Sequence, residues 1–222
     1  MARPAGGYRN AEGKKIPGTT TITGHRKADV EGLLVWANRL GQEGLGHREA
    51  RDAAASIGTV VHDMVEAHSL GRSAESVRKK YAMLKPDQFN AADQGFHAYL
   101  EWIDQTRFEV VETEMPLVSE EYQFGGTPDA IFEKDGKLAL GDWKSSNAIY
   151  PDYIVQLAAY RQLWRENREQ DLDSFHLLRF GKEFGDFHHH SWPVQVLDLA
   201  WDAFKHMRDL YEIDKQLKKA AA

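Results

Sequence analysis

The sequence predicts an α/β fold in which a central sheet of about five strands is flanked by helices and preceded by a helical N-terminal region. Three observations predict it. Apolar residues recur at helical spacing from residue 28 to about 105, the pattern changes at Phe108 to short runs rich in Val, Phe, Tyr and Ile, and from Asp152 a helix, two strands and a last helix follow in turn. A length of 222 residues, 42% hydrophobic and 28% charged, fits one domain.

Residues 1–18 are expected to form a flexible basic arm. Arg3, Arg9, Lys14 and Lys15 face Glu12 alone, and Pro4, Gly6, Gly7, Gly13, Pro17 and Gly18 favour turns. Order is expected from the β-branched run Thr19–Thr23 onward, as one domain over 19–222 with 19–106 helical and 107–222 carrying the sheet and a closing helix. Val30, Leu33, Leu34, Ala37 and Leu40 make a first helical stripe; Ala50, Ala54, Ile57, Val61, Met64, Val65 and His68 make a second. Ser73 suits the N-cap of a short helix, and Pro86-Asp87 opens a longer one with Phe89, Phe96, Tyr99, Leu100 and Ile103 on one face. Runs 108–118, 122–132 and 137–144, with turns between them, predict a three-strand meander. A helix over 152–167, strands over 174–180 and 184–192, and an amphipathic helix over about 197–217 complete the chain.

Composition sets limits. No stretch approaches the roughly 18 apolar residues of a membrane span and no secretory signal is visible, so a soluble intracellular chain without a membrane partner is expected. The absence of cysteine excludes disulfides, a thiolate zinc site, a cysteine nucleophile and a cysteine-held iron–sulfur cluster, which leaves oxygen and imidazole as metal ligands. No Walker-type phosphate loop is present, so no ATP is implied. The net charge of −6 disfavours a polyanionic partner on average, but basic residues gather in the N-terminal arm.

The chemistry-bearing stretch is Gly125-Gly126-Thr127-Pro128-Asp129, followed by Gly141-Asp142-Trp143-Lys144. One hairpin fits between Asp129 and Asp142, and Asp142 and Lys144 share a strand face. Ile131, Phe132, Leu138 and Leu140 make the surroundings apolar, so these charges are costly unless they bind something. Adjacent carboxylates repel unless a divalent cation neutralises them, and oxygen ligands point to Mg²⁺ or Mn²⁺, as one or two ions. A lysine beside them can orient or deprotonate a water, or stabilise charge on a phosphate. The bland alternative is a surface ion pair of Asp142 with Lys144, Asp129 capping a turn.

Together these residues resemble the PD-(D/E)XK nuclease superfamily, in particular its RecB-type exonuclease branch, which includes phage-type exonucleases, the mitochondrial genome maintenance exonuclease and CRISPR adaptation nucleases. Pro128-Asp129 looks like the PD element and Asp142-Trp143-Lys144 like the DXK element. Gly58-Thr59-Val60-Val61-His62 looks like the branch's helical GTxxH motif, and Gln156-Leu157-Ala158-Ala159-Tyr160 like its QxxxY motif. The resemblance implies a restriction-endonuclease-like core with a mixed sheet and a metal-dependent DNA exonuclease that leaves 5′-phosphate products, acting in phage or bacterial DNA recombination, repair or processing. It implies catalytic roles for Asp129, Asp142, Lys144, Gln156 and Tyr160, and metal ligation by His62, Asp129, Asp142 and the backbone carbonyl of Trp143. A supporting glutamate is also implied, with Glu114 ranked ahead of Glu112 on the same face. Implied partners are DNA ends, single- or double-stranded, and a recombination protein, in the cytoplasm of a bacterial or phage-infected cell. Two alternatives stay open: a nuclease fold that binds DNA or a partner without cleavage, and a structure-specific endonuclease.

Each position also has a local rationale. His62 lies about 100° off the second apolar stripe, and Glu66 one turn later is either supporting or merely solvated. Gln156 and Tyr160, four apart, share a helix face. Arg78, Lys79, Lys80, Arg179 and Lys182 are candidate phosphate contacts, and Tyr81 and Tyr153 candidate base-stacking residues. His188-His189-His190 alternates across a strand and cannot make one metal site; an edge strand is expected there.

Overall fold

A computed structural model describes residues 4–25, 30–82, 85–146, 148–181 and 186–221, without the side chains of 30–33, 47–56 and 74. Helices α1 (Thr19–Thr23), α2 (Val30–Gln42), α3 (His47–Ser69), α4 (Ala74–Lys80) and α5 (Pro86–Thr106) come first. Strands β1 (Glu109–Thr113), β2 (Leu117–Ser119), β3 (Phe124–Gly126), β4 (Ala130–Lys134) and β5 (Lys137–Ser145) follow. Then come α6 (Pro151–Asn167), β6 (Ser174–Phe180), β7 (Phe187–Ser191) and α7 (Val194–Ala220). Ser73 caps α4, its side chain accepting from the Glu75 N–H, as its residue type predicts. Among the described residues no helix is long and apolar enough to cross a membrane.

The five-stranded sheet runs β1-β4-β5-β6-β7. Its neighbours are antiparallel except β5 and β6, which run parallel and are joined by α6 as the crossover such a pair needs. The sheet is mixed and flanked by helices, as expected. The predicted meander needs correction, because its first two runs each break in two. Glu114, with a left-handed φ of 50°, and Pro116 end the first; Thr127-Pro128 ends the second, since proline cannot donate to a ladder. The inner halves pair as a separate two-stranded sheet, β2-β3, and the outer halves leave β4 between β1 and β5.

Alternation along the central strands divides the core. Leu138, Leu140, Phe175 and Leu177 pack with α6 and α7, whereas Ala139, Trp143, Leu178 and Phe180 pack with α3 and α5. Asp142 and Lys144 therefore belong to the α6 side of β5.

Residues 4–18, expected as a flexible arm, are packed instead. Tyr8 and Ile16 are buried, Arg9 pairs with Lys15 across a turn, and Gly18 bridges to Gly125. The Gly125 N–H donates to the Pro17 carbonyl at 3.0 Å, and the Asn10 amide donates to Gln123 at 2.9 Å. The reason is the Gly125-Gly126 pair: the Tyr8 ring occupies the space a side chain at Gly125 would need. The β-branched run Thr19–Thr23 forms a short helix, held by the fully buried Ile22 and by Thr19 Oγ1 donating to the Gly125 carbonyl at 3.0 Å.

Candidate active site

At one end of the sheet, β1 and β5 finish where β4 begins. Thr127-Pro128 delivers Asp129 there; its carbonyl accepts the Glu114 N–H at 3.1 Å, and its Oδ2 accepts the Trp143 N–H at 2.8 Å. Asp142 and Lys144 flank Trp143 on β5, while the Trp143 ring turns to the other face against Tyr99 and Phe132. From that other side α3 closes on β5 at Gly58, where a Cβ would lie 2.7 Å from Cβ of Ser145. This approach seats His62 at the carboxylates. Ligand atoms of His62, Glu114 and Asp129 lie within 4.8 Å of one another.

Asp129 is 3% and Asp142 1% exposed. Burial pushes each carboxyl up to about 6 even though Lys144 pulls the other way. Lys144 forms an ion pair with Asp142; burial would depress its ammonium, but Asp142 and Asp129 outweigh that and hold its pKa above the ordinary lysine value. Burial, with Lys144 second, brings the His62 imidazole down to about 4, so it is neutral near pH 7. A neutral imidazole and a surplus of carboxylate attract a cation. The fit is borne by orphaned atoms: Nδ1 of His62 and Oδ1 of Asp142 are buried without a hydrogen bond among the described residues, while Oδ2 of Asp142 has Lys144 as its partner. An oxygen-rich set with one imidazole suits Mg²⁺ or Mn²⁺.

The α6 side supplies Gln156, whose amide donates to the Tyr160 phenol at 2.6 Å, both side chains being buried. Burial holds the Tyr160 pKa well above its ordinary value, so the phenol keeps its proton. The Lys144 ammonium lies 5.5 Å from the centre of the Tyr153 ring. A pocket of about 230 Å³ adjoins this corner, lined by Tyr8, Thr19, Thr20, Gly126, Thr127 and Tyr160. Tyr8 closes it, its hydroxyl 2.8 Å from Oγ1 of Thr127. Tyr8 escaped the sequence reading because it lies among turn formers; the signal was an aromatic upstream of a Gly-Gly pair that needs a cover.

The structure thus brings together His62, Glu114, Asp129, Asp142, Lys144, Gln156 and Tyr160. Glu112, level with Glu114 in the sequence reading, instead pairs with Arg168 at 3.1 Å. Glu66 lies one turn beyond His62, half-buried and outside the ligand cluster. Of the basic candidates, Arg78 pairs with Asp93 at 2.9 Å, Lys80 with Asp63 at 2.5 Å, and Lys79 is exposed. Arg179 is buried, donating to the Ser146 carbonyl at 2.7 Å and pairing with Asp186, which removes it from the phosphate-contact candidates. Lys182 lies outside the described residues. The histidine triplet lies on β7, the sheet edge.

Curated protein sequences offer no match to the chain. Among solved structures it is similar to a proposed exonuclease of Eubacterium rectale, at 14% identity and a TM-score of 0.49, covering 68% of this chain and 64% of that one. It is also similar to an alkaline exonuclease of Laribacter hongkongensis, at 15% identity and a TM-score of 0.36 over 62% of this chain and 76% of that one. A structure of the latter with dAMP is 16% identical, with a TM-score of 0.35 over 76% of this chain and 96% of that one. The chain spans about two thirds of the Eubacterium protein. The profile of the PD-(D/E)XK nuclease superfamily matches residues 38–195, well over half of the sequence, and the chain belongs to that superfamily.

Proposed function

We propose that the chain is a metal-dependent DNA exonuclease of the RecB-type branch, hydrolysing phosphodiester bonds to leave 5′-phosphate ends. The observation that carries it is the convergence of His62, Glu114 and Asp129 beside the buried pair Asp142 and Lys144. His62, Asp129, Asp142 and the Trp143 carbonyl would hold the cation, with Glu114 supporting them. A bound divalent ion would supply Lewis acidity toward the phosphate and neutralise the carboxylates. Lys144 stays an ammonium, so it acts as hydrogen-bond donor and cation: it orients the attacking water and stabilises the charge that grows on the phosphate oxygens. Tyr160 accepts from Gln156, which leaves its own proton to donate to a phosphate oxygen. Trp143 and the apolar strand residues around the acids exclude bulk water and strengthen each of these contacts.

End-labelled linear DNA tests this. Wild type should release nucleotides in Mg²⁺ or Mn²⁺, EDTA should stop release, and Asp142→Ala and Lys144→Ala should leave the DNA intact. Equal degradation by all three proteins would move the active site elsewhere. Closed circular DNA separates the modes: a strict exonuclease leaves it closed, and an endonuclease linearises it.

A further inference from the structure

Three rings stand in a row along β7 and just beyond it. His188 and His190 have centroids 6.2 Å apart with planes 18° from parallel; His190 and Trp192 are 6.0 Å apart at 17°. The three rings are stacked along the row with their planes nearly parallel. The alternation that prevents a three-histidine metal site is what aligns them: His189 points to the opposite face and stacks on His176 at 5.1 Å.

Strand register puts this row on the face that carries Asp142 and Lys144. Lys144 stands opposite Arg179 on β6, and Arg179 opposite His188 on β7; Asp142 stands opposite Leu177, and Leu177 opposite His190. Two strand spacings separate Lys144 from His188, about 10 Å across the sheet, a reach of a few nucleotides. Asp186, 3.6 Å from His188, is paired with Arg179, so its charge does not stand alone against a phosphate backbone. The His188 side chain is 55% exposed, while Trp192 rests against the core beneath α7 and anchors the far end of the row. Among the described residues these histidines belong to no cluster with metal-ligand spacing, and β7 has no strand on its outer side. Parallel rings in a row, ending on the exposed His188, suit flat partners, and unpaired bases stack on such rings whatever the sequence.

We propose that His188, His190 and Trp192 form a stacking platform for unpaired bases of the DNA strand whose backbone crosses Lys144. This rests on the nuclease reading and adds to it a single-stranded segment held at the sheet edge.

The test combines two readouts on the full chain. Binding of a fluorescent single-stranded oligonucleotide is measured in Ca²⁺ to suppress turnover, and hydrolysis of bis(p-nitrophenyl) phosphate is measured in Mn²⁺ as a probe of the active site that needs no bases. The double variant His188→Ala/His190→Ala should weaken single-strand binding roughly tenfold or more while hydrolysis of the small diester is unchanged. His188→Phe/His190→Phe should restore binding, because it replaces the flat surface and removes the imidazole nitrogens. Variants that bind the single strand as tightly as wild type, or a phenylalanine pair that fails to rescue, would overturn the platform and leave the nuclease reading standing. A wild type that neither binds DNA nor cleaves the small diester would overturn both.

Discussion

The Trp143 N–H donates to Oδ2 of Asp129 at 2.8 Å, fixing the acid that precedes β4 to the strand that carries Asp142 and Lys144. An asparagine at 129 can still accept this bond but cannot offer a charge. Asp129→Asn is therefore expected to fold yet lose its thermal response to metal. In wild type, Mn²⁺ at a hundred times its dissociation constant should add about 2.7 kcal/mol of stability. Thermal melts with MnCl₂ and with EDTA give both numbers, and an undiminished rise in Asp129→Asn would remove Asp129 from the ligands.

Asp142 predicts how metal-free stability depends on pH. Burial raises its folded pKa to about 6 from an ordinary 3.8, so the folded state binds the proton more tightly than the unfolded one. Stability is then lost as pH rises from about 4 through about 6, and stays lost above. Asp142→Asn lacks this loss. Its stability relative to wild type in EDTA should be near zero at pH 4 and rise to roughly 1–3 kcal/mol by pH 7, the range one to two pKa units represent. Urea unfolding at the two pH values decides; a variant less stable at pH 7 would mean that the ion pair with Lys144 outweighs burial.

Gly58 is the contact through which α3 reaches β5. Gly58→Ala must push against Ser145 Cβ, a strand position that cannot give way. A cost of roughly 1–3 kcal/mol is expected from overpacking, together with a several-fold weaker metal affinity because His62 is carried on the same helix. Thermal melts and Mn²⁺ titration check this, and a variant equal to wild type in both would show that α3 adjusts freely.

Tyr8 joins the N-terminal segment to the site by packing against Gly125 and through its hydroxyl, 2.8 Å from Oγ1 of Thr127. Tyr8→Phe removes the hydroxyl alone and should cost about 1 kcal/mol. Tyr8→Ala opens the pocket and should cost roughly 3–5 kcal/mol, with a fall in DNA cleavage at temperatures where the protein remains folded. If both variants melt with wild type, the segment does not contribute to the fold.

The parts of the molecule legible in the sequence were those encoded by local period and spacing. The 3.6-residue stripes placed α3, α5, α6 and α7, and the strand-like run over 174–180 matched β6. Asp142 and Lys144 were legible because two residues on a strand share a face, and His62 because one helical step takes it off the apolar stripe. What failed was long-range. Tyr8 and Ile16 sit among glycines and prolines, and it is the bare surface at Gly125, distant in sequence, that gives the Tyr8 ring a place to pack. Glu114 and Glu112 have equal strand parity, and the left-handed turn at Glu114 separates them. Arg179 shows the same limit: its charge suggested an exposed phosphate contact, but the Ser146 carbonyl and Asp186 lie around it in space.

His176 gives an acid-side prediction of opposite sign. Its ring lies between Phe108 and His189, with Nδ1 2.8 Å from Nε2 of His189 and Nε2 2.9 Å from Oγ of Ser174. Burial, reinforced by His189, lowers its pKa to about 4. The unfolded chain, titrating near the ordinary 6.5, therefore binds the proton more tightly, and stability present above about 6.5 is lost as pH falls toward 4. The full loss is about 3 kcal/mol at 1.36 kcal/mol per pKa unit. Asp129 and Asp142 act in the other direction in this window but are common to wild type and a His176→Phe variant, so they cancel in the difference. His176→Phe keeps a ring against Phe108 and cannot be protonated. Relative to wild type it should gain about 3 kcal/mol between pH 7 and pH 4 in urea unfolding, as protonation of His176 disrupts the β6–β7 contact in wild type alone. Parallel pH profiles for the two proteins would show that the imidazole pair accepts a proton without cost to the fold.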